Sequence, residues 1–341
     1  MAGMTADCFV IAEIGSNHNG KLDEAYRLID LAAEAGASAA KFQSFSADSL
    51  YSSRAPRFSD MRGRAGDDGT ITPHQLAGRL EMSRDWHPKL AERCAEVGIE
   101  FMSTPFDLEA VEQLAPYVAR FKLASFDLTY VQLIREVARQ GRPILLSTGH
   151  AYLGEVEAAL GWIRAEDAEL PVTVLHCVST YPALPEDANL AVMQLMQSAF
   201  GLPVGFSDHT LGIAVALAAV ALGATVIEKH FTSDREQEGP DHSFALEPAE
   251  LKMLVEGAAE ARSALGDGVK APRLSEEENR TLARRSIHLA ADLPVGHRLG
   301  ADDVRIVRPG VGIAPAELDV VLGRPLRRVG AEGEPLTWDM V

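Results

Sequence analysis

Lysine is scarce in this chain of 341 residues: seven stand against 25 arginines. Cysteine is scarcer, with Cys8, Cys94 and Cys177 far apart and at no metal-binding or redox spacing. That excludes a disulfide framework and points to a reducing, cytoplasmic setting. Long hydrophobic runs are missing too. The longest uncharged apolar stretch, 212–227, has 16 residues, short of the roughly 20 that a spanning helix needs. It reads as a buried helix running into a strand. The N-terminus lacks a basic region and meets Glu13 before a signal-peptide core could form, so no targeting segment is expected.

Positive charge is limited overall, with 32 Lys+Arg against 49 Asp+Glu and a net charge of −17. An acidic surface of this kind excludes a broad footprint on nucleic acid or on an anionic membrane. An anionic ligand must therefore meet a local cluster of cations. The charge is unevenly placed: residues 284–341 carry eight Arg and eight Asp+Glu, so the whole excess lies in 1–283.

What the sequence does have is alternation. Short β-branched runs at 8–15, 39–45, 99–106, 120–127, 143–149, 172–180, 203–210 and 225–232 are each followed by a segment of helical period. Several of those segments stop on a glycine (36, 98, 141, 223), the residue that ends helices most readily. Eight such pairs in one domain predict a (β/α)8 TIM barrel over 1–268. An open doubly wound sheet is the competitor, but the place for its glycine-rich phosphate loop holds GSNHNG, with the wrong spacing. Residues 46–74 show no periodicity and read as a long functional loop. Residues 269–283 read as a polar linker ending in a short helix, and 284–341 as a small β-rich domain.

In a barrel, chemistry belongs at the C-terminal strand ends. Here those ends offer Glu13, Asn17, His18, Lys41, Gln43, Ser103, Thr104, Lys122, Ser125, Ser147, Thr148, His176, Ser179, Tyr181, Asp208, His209, Glu228 and His230. Lys41 and Lys122 lie within strand patterns, where burying a charge is costly. They are either paired structural lysines or, among Thr104, Ser125 and Ser147, a cradle for phosphate or carboxylate. His209 and His230 hold equivalent places on the last two strands, from which two imidazoles can reach one divalent metal. Glu228 and Asp208 are candidates to orient them. Two protein ligands would leave open positions suited to Lewis-acid catalysis. Cys177 reads as a core residue.

The motifs IAEIGSNHNG (11–20), AAKFQSF (39–45), EFMSTPFD (100–107), FKLASFD (121–127), LHCVSTYPA (175–183), GFSDHTLG (205–212) and IEKHFT (227–232) resemble those of the sialic acid synthase (N-acetylneuraminate synthase) family. The tail, from SEEENRTLARRS (275–286) to RPGVGI (308–313), resembles the antifreeze-like, or SAF, domain that closes such chains. The resemblance implies condensation of phosphoenolpyruvate with N-acetylmannosamine or a related N-acetylhexosamine, giving a nonulosonic acid and phosphate. It implies His209 and His230 as Mn2+ ligands, with Mg2+ or Co2+ as other possible metals. Lys41, Thr104, Lys122, Ser125, Ser147, Ser179 and Tyr181 match phosphoenolpyruvate contacts, and Glu13, Gln43 and Asp241 match positions around the reacting centre. Arg308 matches an arginine that one subunit extends to the other's sugar, which implies a domain-swapped homodimer.

Position 179 is Ser where some members carry Asn, and Phe126-Asp127 stand where many have a small residue and Glu. The acceptor sugar is open on this reading. Two alternatives stand beside it: a related phosphoenolpyruvate-aldose synthase making another keto-deoxy acid, and a non-catalytic sugar-phosphate sensor on the same barrel.

Overall fold

A computed structural model of the chain describes residues 8–57 and 70–341. Eight parallel strands form in chain order: β1 (Phe9–Gly15), β2 (Ala39–Ser44), β3 (Glu100–Pro105), β4 (Phe121–Leu123), β5 (Ile144–Ser147), β6 (Val172–Cys177), β7 (Val204–Asp208) and β8 (Val226–His230). Their order in the sheet is β3-β2-β1-β8-β7-β6-β5-β4, and β3 lies beside β4, so the sheet curls into a TIM-type barrel as the alternation predicts. The strands are near-continuous apolar runs because both faces are covered. Outward side chains such as Val10, Ala12, Ile14, Phe42 and Phe206 pack against the helices. Inward ones, Ile11, Ala39, Met102, Leu145, Leu175 and Val226, fill the barrel below its upper rim.

The helices are α1 (Leu22–Glu34), α2 (Ala47–Leu50), α3 (Pro73–Leu80), α4 (His87–Val97), α5 (Leu108–Leu114), α6 (Val131–Arg139), α7 (Leu153–Glu166), α8 (Ala191–Phe200), α9 (Ala214–Ala221) and α10 (Pro248–Leu265). The glycines expected to stop helices, at 36, 98, 141 and 223, all adopt positive φ. The 46–74 segment, predicted to be an aperiodic loop, holds more structure than that. Ser46 caps α2 by accepting a hydrogen bond from Ser49 N at 3.2 Å. Thr72 and Gln75 cap α3 reciprocally, with Pro73 at its first turn, a pairing that satisfies two orphan N–H groups. Residues 58–69 of that segment lie outside the described ones.

The chain divides at Gly266. The second unit, 267–341, has an antiparallel pair, β9 (Ser286–Leu289) with β10 (Val304–Val307). It has a core of its own that includes Ile287, Leu289, Leu299, Ile313, Leu326 and Leu336. Residues 267–283, which include α11 (Glu277–Leu282), group with this unit. Gly310 N donates to Thr281 O at 2.9 Å. A single short helix, α12 (Leu318–Val321), completes it.

One ionic contact binds the outward faces of the last two barrel strands. Lys229 Nζ lies 2.8 Å from Asp208 Oδ2, both side chains sealed from solvent, and also donates to Thr210 O. The other oxygen of Asp208 accepts from Thr210 N at 2.8 Å. Asp208, expected to orient the histidines directly, instead points away from them because strand side chains alternate between faces. Replacing Lys229 by Met leaves a buried carboxylate without its counter-ion, and should cost about 3–5 kcal/mol of stability, measurable by urea unfolding.

Candidate active site

Strand register brings the polar residues together. Glu13 of β1 stands opposite His230 of β8 on one side and Lys41 of β2 on the other. Gln43 stands opposite Thr104 of β3, and Ser207 opposite Glu228 across β7 and β8. All these side chains line one cavity of about 880 Å3 at the C-terminal end of the strands, near the top of the size range of small-molecule sites.

Its floor is ionic. Lys41 Nζ is 2.6 Å from Glu13 Oε2 and 3.7 Å from Glu228 Oε2, and donates to Thr104 Oγ1 at 3.1 Å. Lys122 Nζ is 3.5 Å from the other oxygen of Glu228, which also accepts from Ser207 Oγ at 3.0 Å. Gln43 Nε2 donates to Glu13 Oε1 at 2.8 Å. Burial works to raise Glu228, but Lys122 and Lys41 outweigh it and hold the carboxyl below its ordinary range. Burial pushes Glu13 above that range despite Lys41, and Glu228 adds to the shift. Burial likewise depresses Lys122, while on Lys41 the two carboxylates overcome it and keep the ammonium charged.

Beside this cluster, Ser125 Oγ accepts from Gly149 N at 2.9 Å, and Ser147 Oγ is buried without a hydrogen-bond partner. A Cβ at position 149 would lie 2.2 Å from Ser179 Oγ and 2.9 Å from Ser125 Oγ. Only glycine lets three strand ends converge so closely, leaving hydroxyls and a backbone around a space suited to an anion.

The His209 and His230 rings have centroids 5.5 Å apart, with Tyr181 4.2 Å from His209 and Phe244 5.0 Å from His230. His209 Nδ1 is 2.8 Å from Val178 O, which fixes the proton there and leaves Nε2 as the electron-pair donor. His230 Nδ1 lies 3.8 Å from Asp241 Oδ2. The donor set therefore fits a divalent metal held by two imidazoles. Among the described residues, no group of three or more His, Cys, Asp or Glu is arranged to hold an ion.

Comparison with known proteins follows this geometry. The NeuB family profile matches residues 28–270 and the SAF domain profile matches 284–341. The chain belongs to the NeuB family. It is 40% identical to the N,N'-diacetyllegionaminic acid synthase of Legionella pneumophila, over 99% of this chain and 96% of that one. It is 34% identical to the pseudaminic acid synthase of Campylobacter jejuni, over 93% of this chain and 91% of that one. Among solved structures, the N-acetylneuraminic acid synthetase of Leptospira borgpetersenii, in complex with citrate, superimposes with a TM-score of 0.71 at 37% identity. That match covers 80% of this chain and 90% of that one. Like these relatives, this NeuB-family chain is an enzyme, a synthase, and its residues 284–341 form a SAF domain.

The barrel residues matched to substrate, metal and the reacting centre line the cavity: Glu13, Lys41, Gln43, Thr104, Lys122, Ser125, Ser147, Ser179, Tyr181, His209, His230 and Asp241. Arg308 does not; it is exposed on the SAF domain, directly after β10. Other strand-end polar residues face away from the cavity. His176 bonds Ala188 O, Ser103 bonds Ser44 Oγ, and Asn17 bonds Phe231 O. Glu228, expected to orient a histidine, is the counter-ion of both lysines. Cys177, read as core, lines the cavity together with Ser207, Phe126, Asp127 and His150. The two-residue alternation could have found three of these, since Cys177, Ser207 and Glu228 each precede a nominated residue by two.

Asp127 is partly buried at the cavity edge, and among the described residues its Oδ2 has no hydrogen-bond partner. Burial raises its carboxyl to about 6, against the opposing pull of Lys122. The folded state thus keeps this proton to higher pH than the unfolded chain, and stability falls as pH rises from about 4 to about 6. Asp127→Asn should therefore be about 2–3 kcal/mol more stable than the parent at pH 7, with the gap closing below pH 4 in denaturant titrations.

Proposed function

We propose that this NeuB-family enzyme condenses phosphoenolpyruvate with N-acetylmannosamine or a related N-acetylhexosamine, releasing phosphate and a nonulosonic acid. The observation that carries the reading is the pairing, in one cavity, of two buried lysines among hydroxyls with two histidines on adjacent strands. Lys41 and Lys122, with Thr104, Ser125, Ser147, Ser179 and Tyr181, would take the phosphate and carboxylate of phosphoenolpyruvate. His209 and His230 would hold a divalent cation, Mn2+ by family resemblance, whose chemistry is to polarise the acceptor's aldehyde oxygen.

The reaction balances without a redox partner. C3 of phosphoenolpyruvate bonds to the aldehyde carbon, whose oxygen gains a proton. Water adds at C2 and gives up a proton, and phosphate then leaves with the electron pair of its C2–O bond while the new C2 hydroxyl passes its remaining proton to the departing phosphate and becomes the keto oxygen. Glu13 and Asp241 line the cavity where that water would stand. Glu13, whose carboxyl burial raises above its ordinary range and which accepts a hydrogen bond from Gln43, is suited to hold and pass a proton.

Charge balance supports two further parts of the proposal. Glu228 is held ionised beside both lysines, so a trianionic substrate needs more positive charge than the floor supplies. A metal cation at the histidines is one source. The other is Arg308 of a second subunit, in a domain-swapped homodimer, set against the acceptor.

The direct test is phosphate release from phosphoenolpyruvate by Mn2+-loaded protein with a set of N-acetylhexosamines, products being identified by mass. Acceptor-dependent release is expected, and its absence with every acceptor would overturn the proposal. His209→Ala and His230→Ala should each lose turnover and weaken Mn2+ binding in calorimetry while retaining the far-UV circular dichroism of the parent. Mixing Arg308→Ala with the inactive His209→Ala protein should restore part of the activity if the arginine acts across subunits.

A further inference from the structure

Two polar residues are buried in the SAF domain, and both hold the same loop. Ser286 and His288 lie two apart on β9 and are only 1% and 3% exposed, so their side chains share one face of the strand. Ser286 Oγ donates to Pro309 O at 2.6 Å and accepts from Gly312 N at 3.1 Å. His288 Nε2 lies 3.1 Å from Pro309 O and 3.0 Å from Ser286 Oγ, and its Nδ1 lies 3.0 Å from Gly333 O. The ring thereby ties the backbone after β10 to a second turn of the domain. Gly310 N and Ile313 N add bonds to Thr281 O at 2.9 Å and Leu336 O at 2.7 Å. A Cβ at position 312 would lie 2.7 Å from Leu336 O, so glycine is what admits this close approach. The clamp begins one residue past Arg308, whose side chain is exposed, and Val307 before it is paired with Ser286 across the two strands.

Exchanging a satisfied buried polar pair for apolar side chains of the same shape is close to neutral for stability. Stability alone therefore does not account for placing such a pair in the core of so small a domain. What a fully satisfied polar network adds is one defined backbone arrangement. The arrangement fixed here is that of the segment following Arg308, the one charged residue in 307–313. We propose that Ser286 and His288 are positioning residues: by clamping Pro309 and Gly312 they set where Arg308 is presented to the acceptor sugar. This inference rests on the role proposed above for Arg308. An arginine on a fixed base gives up less freedom on binding than one on a mobile loop, and it binds its ligand more tightly for that reason.

Steady-state kinetics of the full-length, Mn2+-loaded protein test this, with N-acetylmannosamine and a diacetamido-trideoxy hexose as acceptors. His288→Leu and Ser286→Ala should each raise acceptor KM about tenfold, with kcat and phosphoenolpyruvate binding as in the parent. His288→Gln, which keeps a side-chain N–H, should recover part of that loss. Arg308→Ala should raise acceptor KM at least as far, and adding His288→Leu to it should change KM no further. A second rise of equal size in the double variant would make His288 a residue of domain stability and overturn the inference. Parental acceptor KM in both His288→Leu and Ser286→Ala would overturn it too. If His288→Leu does not fold, Ser286→Ala, which removes a single oxygen, carries the same comparison, and the Gly312 amide should exchange its hydrogen faster in it than in the parent. Unchanged acceptor KM in Arg308→Ala would remove the role of Arg308 and this inference with it, leaving the condensation standing. No phosphate release by the parent with any acceptor would remove the reaction itself and both of these roles.

Discussion

Two ammonium groups buried inside a barrel of an acidic protein require compensation, and the rest of the site is arranged around supplying it. Lys41 and Lys122 cannot remain charged in that interior unless carboxylates stand within a few ångströms, and Glu13 does so from β1, next to β2, and Glu228 from β8, across the barrel interior. The four groups are held by strand register, so the geometry is set by the sheet and not by loops. A neutralised but polar floor of this kind is ready to exchange one set of anions for another. It also explains why the carboxyls diverge: the one close to both lysines is held ionised, while Glu13 is pushed toward keeping its proton.

Much of this was legible in the sequence because the physics is local. Parallel strands covered on both faces read as apolar runs, and a lysine or histidine interrupting such a run stands out. The period-two alternation then decides which side a residue takes. Lys41 stood out as a charge in a strand pattern and His209 by its place equivalent to His230; alternation applied to their neighbours would also have turned Glu228, Ser207 and Cys177 to the cavity and sent Asp208 outward to Lys229.

Other parts had no such signal. The apolar side of the cavity, Phe45, Leu50, Leu76, Leu80 and Phe106, is built of ordinary leucines and phenylalanines from four separate segments, and a leucine facing a cavity looks like one facing a core. The helix Pro73–Leu80 is two turns long, with Leu76, Ala77 and Leu80 its only apolar positions after the first. Its clearest mark was the reciprocal cap between Thr72 and Gln75, which the polar stretch before it obscured. Arg308 has no physical signature in sequence, and it was nominated by family resemblance alone.

The strands and the 46–80 segment differ in what they can tolerate over evolutionary time. A one-residue insertion in a barrel strand would turn its whole set of site residues to face the helices, so lineages are confined there to replacement at fixed positions. The segment carrying α2 and α3 is bound by no such register and can lengthen, shorten or be rebuilt. The half of the cavity built by the strands is thereby frozen, while the half built by α2 and α3 is free to diversify. One scaffold can in this way give rise to a series of enzymes that differ in the sugar they elongate.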